Sequence, residues 1–174
     1  MKQFIEESGV KFGAFDEECL FWIEHSAIYK QMGEGIKTVE FIHLTEEENV
    51  LFVEAKTSCP NAANKNDNED KKKKYEEYYA DVADKFIDSV NMFATTVLGR
   101  NGHSDDVGES ILQKNTYAKS KIKFVLVVAG AEESWLGGPK AELELRLLRF
   151  RKIWKADVVV LNKRMAVELG LAEG

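Results

Sequence analysis

Two carboxylates and an ammonium stand in stretches that are otherwise apolar. Glu40 lies in Val39-Glu40-Phe41-Ile42, and Glu54 and Lys56 lie in Leu51-Phe52-Val53-Glu54-Ala55-Lys56. Alternate residues of a strand share a face, so Glu54 and Lys56 point one way and Val53 and Ala55 the other. A charge buried without a partner is costly, and an ion pair between Glu54 and Lys56 is the plain solution. If the two stretches are neighbouring strands, Glu40 can reach the same space as Glu54. Two ionised carboxylates at such close quarters repel, and a divalent cation resolves the repulsion. Mg²⁺ is commonly held by one or two carboxylates together with waters and phosphate oxygens. Such an ion activates water and polarises a phosphoryl group, which leaves Lys56 to stabilise the charge that develops at phosphorus.

The elements that must position these groups follow from the hydrophobic pattern. Ile36–Leu44 and Val50–Thr57 read as strands of a hairpin around the polar loop Thr45-Glu46-Glu47-Glu48-Asn49. Residues 60–74 hold no large apolar side chain and end in Lys71–Lys74, which predicts a solvated, mobile loop. Tyr75, Tyr79, Val82, Phe86, Val90, Phe93 and Val97 recur at three- and four-residue steps, a helix over 75–98 stopped by Gly99. Residues 100–110 read as a polar loop and 109–118 as room for a short helix. Lys121–Ala129 is a valine-rich central strand. Pro139 sits near the start of a helix whose buried face is Leu143, Leu147, Phe150 and Trp154. Asp157–Leu161 is a last central strand, and Asn162 caps a terminal helix that ends at Gly170. The first 35 residues resist assignment: Cys19–Ile23 fits a buried strand or the inside of a short helix, and Gly33-Glu34-Gly35 is a turn. The sum is an α/β fold, an antiparallel hairpin continued by parallel strands with helices on the faces.

An acid in one strand, a hairpin loop, Glu-x-Lys in the next strand and then a long helix resembles the PD-(D/E)xK nuclease superfamily, which includes restriction endonucleases and Holliday-junction resolvases. The resemblance covers residues ~20–130 in element order. It implies a restriction-endonuclease-like mixed sheet flanked by helices and Mg²⁺- or Mn²⁺-dependent hydrolysis of a phosphodiester in nucleic acid, DNA ahead of RNA. Carried over, Glu40 is the first acid, Glu54 the second metal ligand, and Lys56 the group that assists the attacking water. Many members carry a further acid upstream. Glu24, in Trp22-Ile23-Glu24-His25-Ser26, is the candidate, with Glu17 or Glu18 behind it. Val39-Glu40 stands where the family has Pro-Asp, so the first acid is one methylene longer.

Composition bounds these readings. A chain of 174 residues, 44% hydrophobic and 31% charged, fits a single domain spanning 1–174 with its own core. No apolar run approaches the ~20 residues of a membrane span. Two cysteines, Cys19 and Cys59, without a CxxC make a disulfide framework or a cysteine-rich zinc site a poor fit and point to a reducing cytoplasm. The net charge of −6 counts against a sequence-independent nucleic-acid binder.

With 30 acids and 24 bases in the chain, a Glu-x-Lys triplet means little by itself. Glu69-x-Lys71 and Asp70-x-Lys72 fit too, but only Glu54-x-Lys56 ends an apolar strand. Lys71–Lys74 fit a solvated run more readily than a phosphate contact. Arg146, Arg149, Arg151, Lys152 and Lys155 suit a helix C-terminus without any ligand, and they are the better face should nucleic acid bind. Thr57 and Ser58 fit a strand end more readily than a phosphate contact. His25, His43 and His103 lack zinc-site spacing, and there is no GxxxxGK or GxSxG. The competing functional class is a non-catalytic nuclease-like domain that binds a protein or nucleic-acid partner. A metal-dependent enzyme acting on small phosphorylated substrates is a third. A domain of this size is compatible with a homodimer that cuts both strands.

Overall fold

A computed structural model describes residues 1–102, 105–113 and 117–174. Its centre is a five-stranded mixed sheet in the order β3 (Leu20–Phe21), β4 (Phe41–Leu44), β5 (Asn49–Lys56), β6 (Lys121–Val128), β7 (Asp157–Leu161). The pairs β3–β4 and β4–β5 are antiparallel, while β5–β6 and β6–β7 are parallel. Parallel neighbours need long crossovers. Helix α2 (Glu69–Val97) supplies the first, and α4 (Gly137–Arg146) with α5 (Leu148–Trp154) supplies the second. Short helices α1 (Ala27–Met32), α3 (Glu109–Leu112) and α6 (Lys163–Glu168) complete the described set.

The sheet buries both faces. On one, Val50, Phe52, Phe124 and Leu126 pack against Phe86, Val90 and Phe93 of α2 and Leu143 and Leu147 of the second crossover. Phe52 meets Phe93 and Phe124 edge to face, with centroids 5.4 and 5.7 Å apart, an arrangement worth about 0.5–1.5 kcal/mol per pair beyond area burial. On the other face, Val53, Ala55, Val125 and Val127 pack under Ala166 of α6 and under a separate hairpin, β1 (Lys2–Glu7) with β2 (Val10–Asp16).

The hairpin is new relative to the sequence reading. Its turn, Ser8-Gly9, takes positive φ at both positions (50° and 78°), as a two-residue connection between right-twisted strands requires. The Ser-Gly pair was the available signal.

Three further expectations change. Residues 60–74 are not a loop throughout. Asn68 accepts the Lys71 amide at 2.9 Å, Glu69 and Asp70 occupy the first turn, and α2 therefore starts at Glu69 with Lys71–Lys74 inside it. Capping and acids beside the helix N-terminus outweigh the missing apolar stripe. The strand expected over 36–44 is regular only from Phe41, because the Lys37 and Val39 amides donate to Asp88 and Ser89 of α2 rather than to a strand. The helix expected through Trp154 is interrupted at Leu147. The Thr45–Asn49 loop, the Asn162 cap on the Met165 amide (2.9 Å) and the stops at Gly99 and Gly170 stand as read. Of the short helix expected over 109–118, Glu109–Leu112 is observed; residues 114–116, like His103, lie outside the described residues.

Candidate active site

The β4–β5 register pairs Phe41 with Val53, so the next position sets Glu40 opposite Glu54. There the ladder loosens and the Glu40 amide donates to the Val53 carbonyl at 3.0 Å. Both carboxylates lie on the sheet face covered by α2. Glu54 is fully buried and Glu40 is 5% exposed. Glu24, on a single 3₁₀ turn at Ile23–His25, hydrogen-bonds to the Glu40 carboxyl. The fold thus brings Glu24, Glu40, Glu54 and Lys56 to one place on the sheet. Glu17 and Glu18 are elsewhere: they line a 570 Å³ cavity with Trp22, His25 and Glu109, and Glu17 lies 3.9 Å from the N-terminal ammonium. His43 points to the opposite sheet face, where its Nδ1 donates to the Cys19 carbonyl (3.1 Å) and its ring packs on Phe15.

The charge balance of the site comes largely from α2, which the sequence reading treated as a packing helix. Lys85 Nζ lies 2.8 Å and Lys56 Nζ 3.1 Å from the same oxygen, Glu54 Oε1. Asp81 contacts Lys56 at 3.8 Å and Lys37 at 3.1 Å, and Lys37 also reaches Asp84 at 3.3 Å. Lys85 borders the apolar stripe, three residues after Val82 and one before Phe86, which is the signal that could have flagged it. Glu54 Oε2 is buried with no hydrogen-bond partner among the described residues. The Tyr78 hydroxyl, one helical turn before Asp81, is also buried without a partner among them and lies near enough to feel the Glu54 charge.

Electrostatics follow from burial. Desolvation lifts the Glu54 carboxyl above its ordinary range against the pull of Lys85 and Lys56. At Lys85 desolvation opposes the charge, but Glu54, Glu40 and Asp81 together raise the ammonium. Two short contacts to one oxygen favour an ionised Glu54. Burial, the hydrogen bond to Glu24 and the Glu54 charge push Glu40 up to about 9. Glu40 therefore holds its proton at neutral pH.

A carboxyl that binds its proton more tightly folded than unfolded stabilises the fold fully below its unfolded value. That contribution is lost as pH rises through the folded value. For Glu40 the window runs from 4.5 to about 9. Urea midpoints taken across this window in chelator should fall with pH, and the fall should be shallower for Glu40→Gln. Identical slopes would remove Glu40 as the titrating group.

The donor set fits a Mg²⁺ or Mn²⁺ ion held by two carboxylates and waters, not an all-protein cage. The orphaned Glu54 Oε2 and the adjacent Glu40 carboxyl are the oxygens available to it. Among the described residues no group of three or more His, Cys, Asp or Glu forms a ready ion cage; as folded, the two ammonium groups on Glu54 supply the compensating charge.

Several of the remaining candidates make structural contacts. Lys71 pairs with Asp67 at 2.7 Å, and Arg146 with Glu76 and Glu142 at 2.5 and 2.7 Å. The Thr57 carbonyl accepts the Gly130 amide, and burial pushes the Cys59 thiol up, away from nucleophilic use. No helix among the described residues is long and apolar enough to cross a membrane. Comparison of the chain with protein-family models, curated proteins and solved structures gives no match.

Proposed function

We propose that this chain is a Mg²⁺- or Mn²⁺-dependent phosphodiesterase of restriction-endonuclease-like fold, acting on nucleic acid and on DNA ahead of RNA. The observation that carries the reading is Glu54: a fully buried carboxylate with one oxygen held by Lys56 and Lys85 and the other unpartnered beside Glu40. An unsatisfied buried acceptor is expensive in a native protein, and a divalent ion would satisfy it. Such an ion would activate water and polarise the phosphoryl oxygen. Glu54 and Glu40 would hold it, and Glu40 would give up its proton on binding. Lys56, fixed by Glu54 and Asp81, donates a hydrogen bond to the attacking oxygen and to the charge that builds on the phosphoryl group. A cytoplasmic setting and a homodimer that cuts both strands belong to the same proposal.

One observation favours the second reading, a nuclease-like scaffold without chemistry that binds a macromolecular partner. The Lys85 ammonium already stands 2.8 Å from Glu54, where it neutralises the carboxylate without metal. Calorimetric titration with Mn²⁺ separates the two. Wild-type protein should bind one ion with release of a proton, seen as a heat that changes with the buffer, and Glu54→Gln should bind none. Failure of the wild type to bind would leave the scaffold reading.

A further inference from the structure

The outer face of the second crossover carries an unpartnered apolar stripe edged with cations. Helices α4 and α5 run on from one another, since the Leu147 amide donates to Leu143 and the Arg151 amide to Leu147. Ala141, Leu145, Leu148, Arg149, Lys152 and Ile153 are all exposed. They fall at i, i+4, i+7, i+8, i+11 and i+12, which is one side of a helix. Leu145 is 69% and Ile153 74% exposed, and Leu148 41%. The stripe is about 18 Å long at 1.5 Å per residue. Surface leucines scattered singly need no explanation, but four apolar residues out of six along one helical face form a patch.

The charge on this face selects its occupant. Residues 145–155 contain Arg146, Arg149, Arg151, Lys152 and Lys155 and no acid, in a chain of net charge −6. Arg146 and Arg151 are taken up by Glu76, Glu142 and Glu144. Arg149 and Lys152, within the stripe, have no ion-pair partner among the described residues. We propose that this face docks an acidic amphipathic helix of a protein partner. Its apolar side would lie on Leu145, Leu148 and Ile153, and its carboxylates would pair with Arg149 and Lys152.

Other occupants fit less well. A second copy of the chain related by a two-fold axis at the middle of the stripe would set Arg149 against Leu145 of the other copy and offer that cation no carboxylate. Nucleic acid would use the two cations and leave the aliphatic side chains in water. An anionic bilayer would be repelled by the net negative charge, and the stripe has no Trp or Phe to sit at the interface. The inference is independent of the hydrolytic site, since it uses none of its residues.

The probes are a designed helical peptide of leucine stripe and glutamate flanks, about three heptads long, its lysine-for-glutamate counterpart, a short DNA duplex, and vesicles of phosphatidylcholine and phosphatidylserine. Fluorescence anisotropy should show the glutamate peptide binding at least about tenfold more tightly than the lysine peptide. Leu145→Gln with Ile153→Gln, and separately Arg149→Glu with Lys152→Glu, should each weaken it about tenfold or more. All four positions are exposed, so unchanged circular dichroism and melting temperature serve as the folding control. The proposal is overturned if the glutamate peptide does not bind, or binds with no response to either variant pair. It is equally overturned if the duplex or the vesicles bind in its place with loss on Arg149→Glu and Lys152→Glu, or if sedimentation shows a dimer that Leu145→Gln with Ile153→Gln dissolves.

Discussion

Lys56→Ala is expected to lower phosphodiester hydrolysis by about 10²–10³-fold, the usual effect of removing one donor aimed at a developing charge. Mn²⁺ affinity should stay within about threefold, because the orphaned Glu54 Oε2, not the Lys56-bound Oε1, is the oxygen offered to the ion. The fold should tolerate the change. Lys56 is the more exposed of the two ammonium groups on Glu54, with its side chain 27% exposed against 18% for Lys85, and Lys85 remains at 2.8 Å. The pairing of lost turnover with retained metal binding is diagnostic. Single-turnover cleavage of a labelled duplex in Mn²⁺ reads the first and calorimetry the second. Equal rates for Lys56→Ala and wild type would remove the lysine from the chemistry. A fall in metal affinity as large as the fall in rate would make it a positioning residue for Glu54 instead.

Lys85→Ala should have the largest effect on stability. It removes the closest partner of a fully buried carboxylate and leaves Glu54 with Lys56 alone. Breaking a buried pair from one side costs about 3 kcal/mol or more, since the remaining charge stays desolvated. In a chain of 174 residues that is a fall in melting temperature of roughly 6–12 °C, at 2–4 °C per kcal/mol. Lys85→Met combined with Glu54→Leu should recover most of the loss, because apolar side chains of similar volume replace buried ion pairs with little penalty. Urea or thermal unfolding of the single and double variants measures the difference. A double variant as unstable as Lys85→Ala would show that the loss comes from packing along the Lys85 stem and not from a stranded charge.

The sequence made some of the site legible because its rules there are local. Alternation along a strand puts Glu54 and Lys56 on one face, and the short polar loop Thr45–Asn49 brings Glu40 alongside; the β4–β5 register realises both. The helical period exposed the α2 stripe of Tyr79, Val82, Phe86, Val90 and Phe93, all buried in the structure. Pattern failed where backbone capping overrides side-chain hydrophobicity. Capped by Asn68, α2 starts at Glu69, six residues before its first buried aromatic, Tyr75. It failed again at residues 36–39, where Asp88 and Ser89 of a distant helix take the backbone donors.

What the sequence by itself determined is the order of strands and crossovers from β4 onward, the two sheet faces, and the acid–lysine pair within β5. These depend on periods of two and 3.6 residues and on turn chemistry, which neighbours in the chain fix. Only the tertiary structure decided that Lys85, Asp81 and Tyr78 of α2 close over Glu54, that Glu24 and not Glu17 or Glu18 meets Glu40, and that one oxygen of Glu54 is left without a partner. The reason is geometric. Which flank of a helix overlies a given strand depends on how its apolar stripe seats on the sheet. That seating is set by contacts among Phe52, Phe86, Phe93 and Phe124, residues too far apart in the chain for any local pattern to relate them.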